Sequence, residues 1–283
     1  MRKTLVLLVL GAMALSAHAQ QTPVVKFIHP TGQVTLNRAK KPLKRRKFIA
    51  RKQALPPAAD LAPFAPPAVT QPYKDCYAYA SVYAGRTTLY NATQQAGGTT
   101  QANIFSTGFL QALIYPNSRT CRKNGYDTYL ACGLMQTSGV VLKSDYPDDC
   151  GTTPLTQELK DKALNYRVNA VEIYQYTDAD DVKIAAIKSS LAAKRPVVIG
   201  WLVVKSFDNG DGGDTWTPQD NERPGPQNWK ANHAICIIGY DDTRGAFQVQ
   251  NSWGQDWGDK GRIWVKYADM ASFSAFGIEL SNP

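Results

Sequence analysis

The histidine of Asn232-His233-Ala234 and the amide of Asn251-Ser252-Trp253-Gly254 carry most of the chemistry this chain discloses, because a thiol hydrolase needs only one further group, and Cys76 supplies it. Of the three histidines, His18 lies in a run built like a secretory signal, and His29 lies in a basic, proline-bearing stretch far from any apolar run. That leaves His233 for acid–base work. The β-rich runs His233 to Tyr240 and Ala246 to Asn251 flank Asp241-Asp242-Thr243-Arg244-Gly245, whose residues suit a reversing turn, so the two runs are expected to form a hairpin. With the turn centred near Asp242, Asn251 falls opposite His233 to within about one register step, roughly 5 Å between Cβ atoms. An amide so placed can fix the imidazole tautomer and turn the other ring nitrogen toward a nucleophile.

Cys76 begins a predicted helix running to Tyr90, with Asp75 as its N-cap. A thiol in the first turn lies in the field of aligned peptide dipoles, and an adjacent imidazolium would favour the thiolate further. Each residue also has a plainer reading: Cys76 as a buried structural thiol, His233 as a hydrogen-bonded core histidine, Asn251 as a strand-ending turn former. All three in one constellation favour chemistry.

The elements that must position these groups divide the chain in two. Helices are expected at 126 to 137, 156 to 165 and 180 to 193, where Ile184, Ile187 and Leu191 share a face. Short β-rich runs follow at Pro196 to Val204, His233 to Tyr240, Ala246 to Asn251 and Arg262 to Tyr267, while 205 to 230 is loop by composition. A helical half therefore carries Cys76 and a β half carries His233, with the site at their boundary.

Met1-Arg2-Lys3, the apolar run Thr4 to Leu15 and Ala17-His18-Ala19 have the order of a signal peptide over 1–19, which implies a secreted or periplasmic protein. No later apolar stretch is long enough to span a bilayer, so no membrane role is expected. The formal charge of +9 is uneven: residues 20–59 hold ten Lys or Arg and no acid, leaving 20 basic against 23 acidic residues from Asp60 onward. This basic extension carries almost no aromatics, which argues against nucleic acid. It reads either as a solvated disordered tail or as a removable pro-segment, with Lys44-Arg45-Arg46-Lys47 and Arg51-Lys52 open to a trypsin-like protease. Residues 53 to 72, rich in Pro and Ala, form an extended strap into a domain spanning 60–283. Cys132 and Cys236 read as buried apolar thiols, and with no Cys-x-x-Cys pair and one histidine in the body, neither a metal nor another cofactor is expected. Trp201, Trp216, Trp229 and Trp264 read as core, with Trp216 and Trp229 as candidates for the cleft edge.

Cys76-Tyr77-Ala78-Tyr79-Ala80-Ser81, Asn232-His233-Ala234 with Ile238-Gly239-Tyr240, and Asn251-Ser252-Trp253-Gly254-Gln255-Asp256-Trp257-Gly258 resemble the motifs of the papain-like cysteine peptidases. Ser106, Gly125-Tyr126, Gly139 and Asp145-Tyr146-Pro147 resemble further landmarks of that family. The resemblance implies an α+β, two-lobed fold with an N-terminal helical lobe, a C-terminal antiparallel β lobe and the active cleft between them. It implies a monomeric endopeptidase acting on protein or peptide substrates through a thioester acyl-enzyme, with its own pro-segment or a protein inhibitor as a further partner. Role by role it implies attack by Cys76, proton transfer by His233, orientation by Asn251, shielding by Trp253, and an oxyanion donor in Gln71. Asn232, Gly125 and Trp253 would line the substrate groove, and Cys121 would pair with Cys150. The chain departs from the family in having Asp75 before the nucleophile, Gln71 five rather than six residues ahead of it, Tyr73 in place of a cysteine, and Asn124-Gly125 in place of paired glycines. Asp75 and export keep a cell-wall peptide amidase as an alternative; Asp75 and the short Gln71 loop keep a non-catalytic binding homologue.

Overall fold

The computed structural model describes residues 28–32, 43–46, 54–95, 103–116, 125–150, 152–210, 213–224 and 231–283. The signal peptide, most of the basic extension, Cys121, Asn124 and Trp229 lie outside them.

The helical half is built around a long helix in which Cys76–Ala78, Tyr79–Arg86 and Thr87–Gln94 follow without a break, the middle segment having π geometry. Cys76, Ala78, Ala80 and Val82 are buried on it, because small side chains let the neighbouring helices and the sheet approach. Helices Thr107–Ile114, Thr128–Thr137 and Gln157–Leu164 complete this half. Each has a side-chain N-cap: Ser106 accepts from Phe109 N, Asp127 from Tyr129 N and Leu130 N, and Thr156 from Leu159 N. The helix at 107–114 was not anticipated from its pattern, since it is buried almost all round and shows no amphipathic stripe.

Among the described residues eight strands form one sheet: β1 (Ala58–Asp60), β2 (Asn169–Gln175), β3 (Val197–Trp201), β4 (Thr215–Trp216), β5 (His233–Asp241), β6 (Ala246–Gln250), β7 (Arg262–Lys266) and β8 (Ser274–Ser281). Their order is β2-β8-β3-β5-β6-β7-β4, with β1 pairing the far end of β5. Every pairing is antiparallel except the short β4–β7 contact, which is parallel. The strap thus enters the fold as strand β1 before reaching the cleft. Both halves use the centre of this sheet. On β3, Val198 joins the helical core with Ala234, Ile278 and Leu280, while Val197, Ile199 and Trp201 join the second core with Ile235 and Phe273, as the period-2 alternation of a doubly covered strand requires.

Two expectations are corrected. The stretch 205–230 is not all loop: it contains helix Lys205–Asn209, β4 and a 3-10 turn at Asp220–Glu222, and Trp216 is a core residue packed on Trp201, Phe207 and Phe273 rather than a cleft edge. Arg262 to Tyr267 ends one residue early as a strand, since Tyr267–Phe273 is a helix leading directly into β8. Cys132 and Cys236 are buried free thiols. Cys150 is disulfide-bonded, and the residue expected to pair with it, Cys121, is outside the described region.

Candidate active site

His233 is the first residue of β5, and its partner Asn251 follows the last residue of β6. The hairpin register differs from expectation: Cys236 pairs with Gln250 and Tyr240 with Phe247, with a shift between Ile237 and Gly239. Asn251 therefore continues past the ladder instead of standing opposite His233, and its side chain reaches along the strand end. His233 Nε2 lies 2.8 Å from Asn251 Oδ1, which also accepts Ser252 N at 2.8 Å. Because an amide oxygen only accepts, Nε2 carries the proton of the neutral ring and Nδ1 is the basic nitrogen. Nδ1 is buried and has no hydrogen-bond partner among the described residues. Trp253 stacks on the imidazole at 4.6 Å and 23°, covering the His233–Asn251 bond.

The motif around Asn251 is tied to the strap. Thr70 and Trp253 form an antiparallel bridge, Gln71 N donates to Ser252 O, and Gly254 N donates to Val69 O. Gly254 has φ +89°, and a Cβ there would meet Thr70 Oγ1 at 2.6 Å, so only glycine closes the Asn-Ser-Trp-Gly turn against the strap. The same pairing buries Gln71 to 1 % exposure. Its Oε1 accepts from Ser252 Oγ and its Nε2 donates to Tyr73 O at 2.7 Å, leaving a second amide proton for a ligand.

Cys76 is fully buried, and its thiol lies against main-chain groups of Ala234, the residue after His233, and of Gly32. Burial pushes the thiol up to about 12, opposed by those backbone contacts and reinforced by the neighbouring Asp75 charge. Burial likewise lowers His233 to about 4, against the opposing pull of Asn251 and Asp208. In this closed form burial disfavours both charged forms, the thiolate of Cys76 and the imidazolium of His233. That direction runs against the ready-made ion pair expected from the helix position of Cys76.

What closes the site is the stretch 28–32, including His29, which sequence reasoning had set aside. Gly32 N donates to Asn232 O at 3.1 Å, and Trp253 Nε1 donates to Pro30 O at 3.1 Å. His29 stacks on Trp253 at 4.7 Å and 10°, and its Nδ1 lies 3.0 Å from Asp208 Oδ1. Ile28 N and His29 N donate to the two oxygens of the same carboxylate at 2.5 and 3.1 Å. A Cβ on Gly32 would meet Lys74 O at 2.1 Å, and one on Gly125 would meet Gly32 O at 1.7 Å, so glycines on both sides let this segment lie flat in the groove. Gly125, Asn232 and Trp253, expected to line the substrate groove, thus all contact the same strand of chain. Asp208 is the residue that sequence reasoning missed most clearly, since it opens an Asp- and Gly-rich run that reads as loop.

A second part of the extension, 43–46, sits at β2. Arg46 N donates to Glu172 O and Glu172 N to Lys44 O; Arg45 pairs with Asp178 at 2.5 Å and Arg46 with the buried Glu279 at 2.7 Å. Of the basic residues expected to be open to a protease, Lys44, Arg45 and Arg46 are docked along a sheet edge, and Lys47, Arg51 and Lys52 lie outside the described residues.

Asp75 does not cap the helix through its side chain; its carboxylate instead accepts from Gln111 Nε2 at 3.0 Å. Burial pushes this carboxyl up to about 6, with the hydrogen bonds opposing. Its charge appears as pH rises through that value and then disfavours the Cys76 thiolate. Asp75→Asn is expected to raise kcat/KM relative to the parent above about pH 6 and to leave it little changed below pH 5, a divergence read from paired pH profiles. Stability carries the same signature. The folded state holds the proton longer than the unfolded one, so stability falls as pH rises from the ordinary carboxylate range to about 6, by on the order of 3 kcal/mol, and is level above that. The Asn variant should lack this slope in Tm.

The sequence model described as papain family cysteine protease matches residues 75–279. The chain belongs to that family. An uncharacterized peptidase C1-like protein of Acanthamoeba polyphaga mimivirus is 32% identical over 126 residues, 43% of this chain and 40% of the relative. Cysteine proteinase 3 of Solanum lycopersicum is 32% identical over 77 residues, 26% of this chain and 20% of that protein. The matched stretches span less than half of either relative. Among solved structures, xylellain, a cysteine protease from Xylella fastidiosa, superposes with TM-score 0.64 at 19% identity, covering 93% of this chain and all of its own. Digestive procathepsin L2 from Tenebrio molitor gives TM-score 0.64 at 16% identity, covering 89% of this chain and 78% of its own. At these identities the superpositions establish the papain-like α+β fold.

Proposed function

We propose that the chain is a secreted cysteine endopeptidase that hydrolyses peptide bonds with Cys76 as nucleophile, His233 as base and acid, and Asn251 as the group that orients His233. The observation that carries this reading is the orientation of His233: its Nε2 is held by Asn251 and its Nδ1 is left unpartnered among the described residues, in a site where Cys76 rests on the next residue of the same strand. Nδ1 takes the thiol proton, the sulfur attacks the substrate carbonyl, and the tetrahedral oxyanion is met by Gln71 Nε2 and the Cys76 N–H. His233 returns the proton to the departing amine, leaving a thioester that water hydrolyses by the reverse proton path. No metal or other cofactor enters this scheme.

The same proposal makes residues 20–59 a pro-segment, with 28–32 blocking the groove and 43–46 as a second anchor. Chemistry requires the leaving amine on the His233 side, which Trp253 adjoins. His29 and Pro30 lie on Trp253, while Gly32 lies by Gly125 and Lys74. The segment therefore runs opposite to a substrate, whose acyl half precedes its amine half, and offers Cys76 no correctly directed peptide bond. The signal at 1–19 and an exported, monomeric product belong to the same reading.

The test is hydrolysis of casein and of purified cell-wall peptide by the full chain, before and after limited trypsin treatment. Casein turnover that rises on trimming supports the endopeptidase; turnover confined to cell-wall peptide favours the amidase, and none with either favours a binding homologue. Gln71→Ala is expected to lower kcat by about 10²-fold, with KM moving far less, in a steady-state assay of the trimmed enzyme. Cys121–Cys150 is the proposed disulfide, supported by the bonded state of Cys150 and by Cys76, Cys132 and Cys236 being free. Alkylation of the denatured, unreduced chain should then add three groups, matching those free thiols, and alkylation after reduction should label all five cysteines of the sequence by mass.

A further inference from the structure

Asp208 is a buried carboxylate whose side-chain partners among the described residues lie in the extension, not in the domain. It lies in helix Lys205–Asn209, its side chain is 2 % exposed, and among the described residues the hydrogen bonds to its two oxygens come from the blocking segment: Ile28 N, His29 N and His29 Nδ1. Its field reaches His233, and its neighbour Phe207 packs on Trp253 at 5.8 Å, so it stands on the wall of the groove beside the base. Once residues 28–32 leave, the carboxylate loses these three donors while its apolar surroundings, Phe207, Trp253 and Trp257, remain. A half-desolvated carboxylate is costly unless a cation or several donors face it.

We propose that Asp208 is a specificity-determining residue that selects a basic side chain, arginine before lysine, on the residue following the scissile bond. The inference rests on the peptidase reading and on the chain direction derived from it, which puts the Asp208 wall on the amine side of the cut. The blocking segment shows what the site accepts, namely donors to both oxygens, those to Oδ1 coming from His29, whose ring lies over Trp253, and that to Oδ2 from Ile28 N. A guanidinium satisfies the same demand with one planar fork that binds both oxygens and stacks on the indole, whereas an ammonium supplies charge without the fork. An acidic side chain in that place would face Asp208 directly.

The experiment uses the full chain carrying Gly32→Val, which sets a side chain against the Lys74 carbonyl and expels the blocking segment. Peptides identical except for Arg, Leu or Glu after the scissile bond are compared by kcat/KM, and the same peptides are titrated by Trp fluorescence onto the Gly32→Val, Cys76→Ala chain. Arg is expected to exceed Leu by about tenfold or more, and Leu to exceed Glu, in both measurements. Asp208→Asn should bring the Arg:Leu ratio to about one, and Asp208→Lys should invert the order of Arg and Glu. Equal binding of all three peptides with Asp208 intact overturns the proposal even if the Asp208 variants do not fold, as does a ratio that Asp208→Asn leaves unchanged. Charge-selective binding without turnover by the Cys76 chain would overturn the peptidase reading alone and keep the cation site; turnover without selectivity does the reverse.

Discussion

Cys76→Ala is expected to abolish peptide hydrolysis by the trimmed protein, lowering turnover by roughly 10⁴-fold or more, because the proposed acyl intermediate forms on its sulfur. The variant keeps its fold. Removing one sulfur from a fully buried position costs on the order of 1 kcal/mol, and the surrounding Tyr77, Ala78 and Ala234 packing stays in place. Turnover measured beside Tm separates loss of chemistry from loss of structure. A trimmed parent enzyme should also be labelled at Cys76 by a thiol-trapping epoxide, while the untrimmed chain resists labelling because segment 28–32 covers the sulfur. Unchanged turnover in the alanine variant would remove Cys76 from the mechanism and leave it a core thiol like Cys132 and Cys236.

Gly32→Val in the otherwise intact chain is expected to raise activity by roughly 10- to 100-fold over the untrimmed parent. A Cβ at this position meets the Lys74 carbonyl at 2.1 Å and the α-carbon at 2.8 Å, both backbone-fixed, so the clash is relieved by expelling the segment rather than by a side-chain adjustment. Overpacking of this kind costs about 1–3 kcal/mol, and each 1.4 kcal/mol is tenfold in the open population. Opening also readmits water to Cys76 and His233, which lowers the thiol from about 12 and raises the imidazole from about 4, so that the ion pair becomes accessible near neutral pH. The measurement is the initial rate before and after trypsin. The parent accelerates on trimming and the valine variant does not, and equal rates for the two untrimmed chains would show that 28–32 does not control access. The anchor at 43–46 is independent of the clash, so it holds the expelled segment near the domain and keeps the comparison within one molecule.

The two anchors explain why a short extension lacking an apolar helical stripe can still reach the cleft. Its grip comes from main-chain hydrogen bonds to Asn232 and Glu172, from Asp208, and from two arginine–carboxylate pairs, one of them to the buried Glu279. Main-chain contacts of this type leave no side-chain pattern in the sequence, and a basic run without apolar periodicity reads as solvated.

By itself the sequence determined the family and the class of fold. Cys76 at a helix start, one usable histidine, and an Asn-Ser-Trp-Gly run after a β-rich stretch are local patterns, and the apolar periodicities that place helices before strands are local as well. Even where the register was misjudged, the Asn251 side chain could reach His233, because a strand end tolerates a shift of one or two residues when the reaching group is flexible. Only the tertiary structure decided the rest: that Asp75 turns from its own helix to Gln111, that Gln71 is buried through Ser252, that Asp208 faces the groove, and that residues 28–32 lie against the buried Cys76. These outcomes depend on groups far apart along the chain, such as Pro30 and Trp253, 223 residues apart. Their energies come from desolvation and from backbone hydrogen bonds, which are set by what surrounds a residue in space and not by its neighbours in sequence.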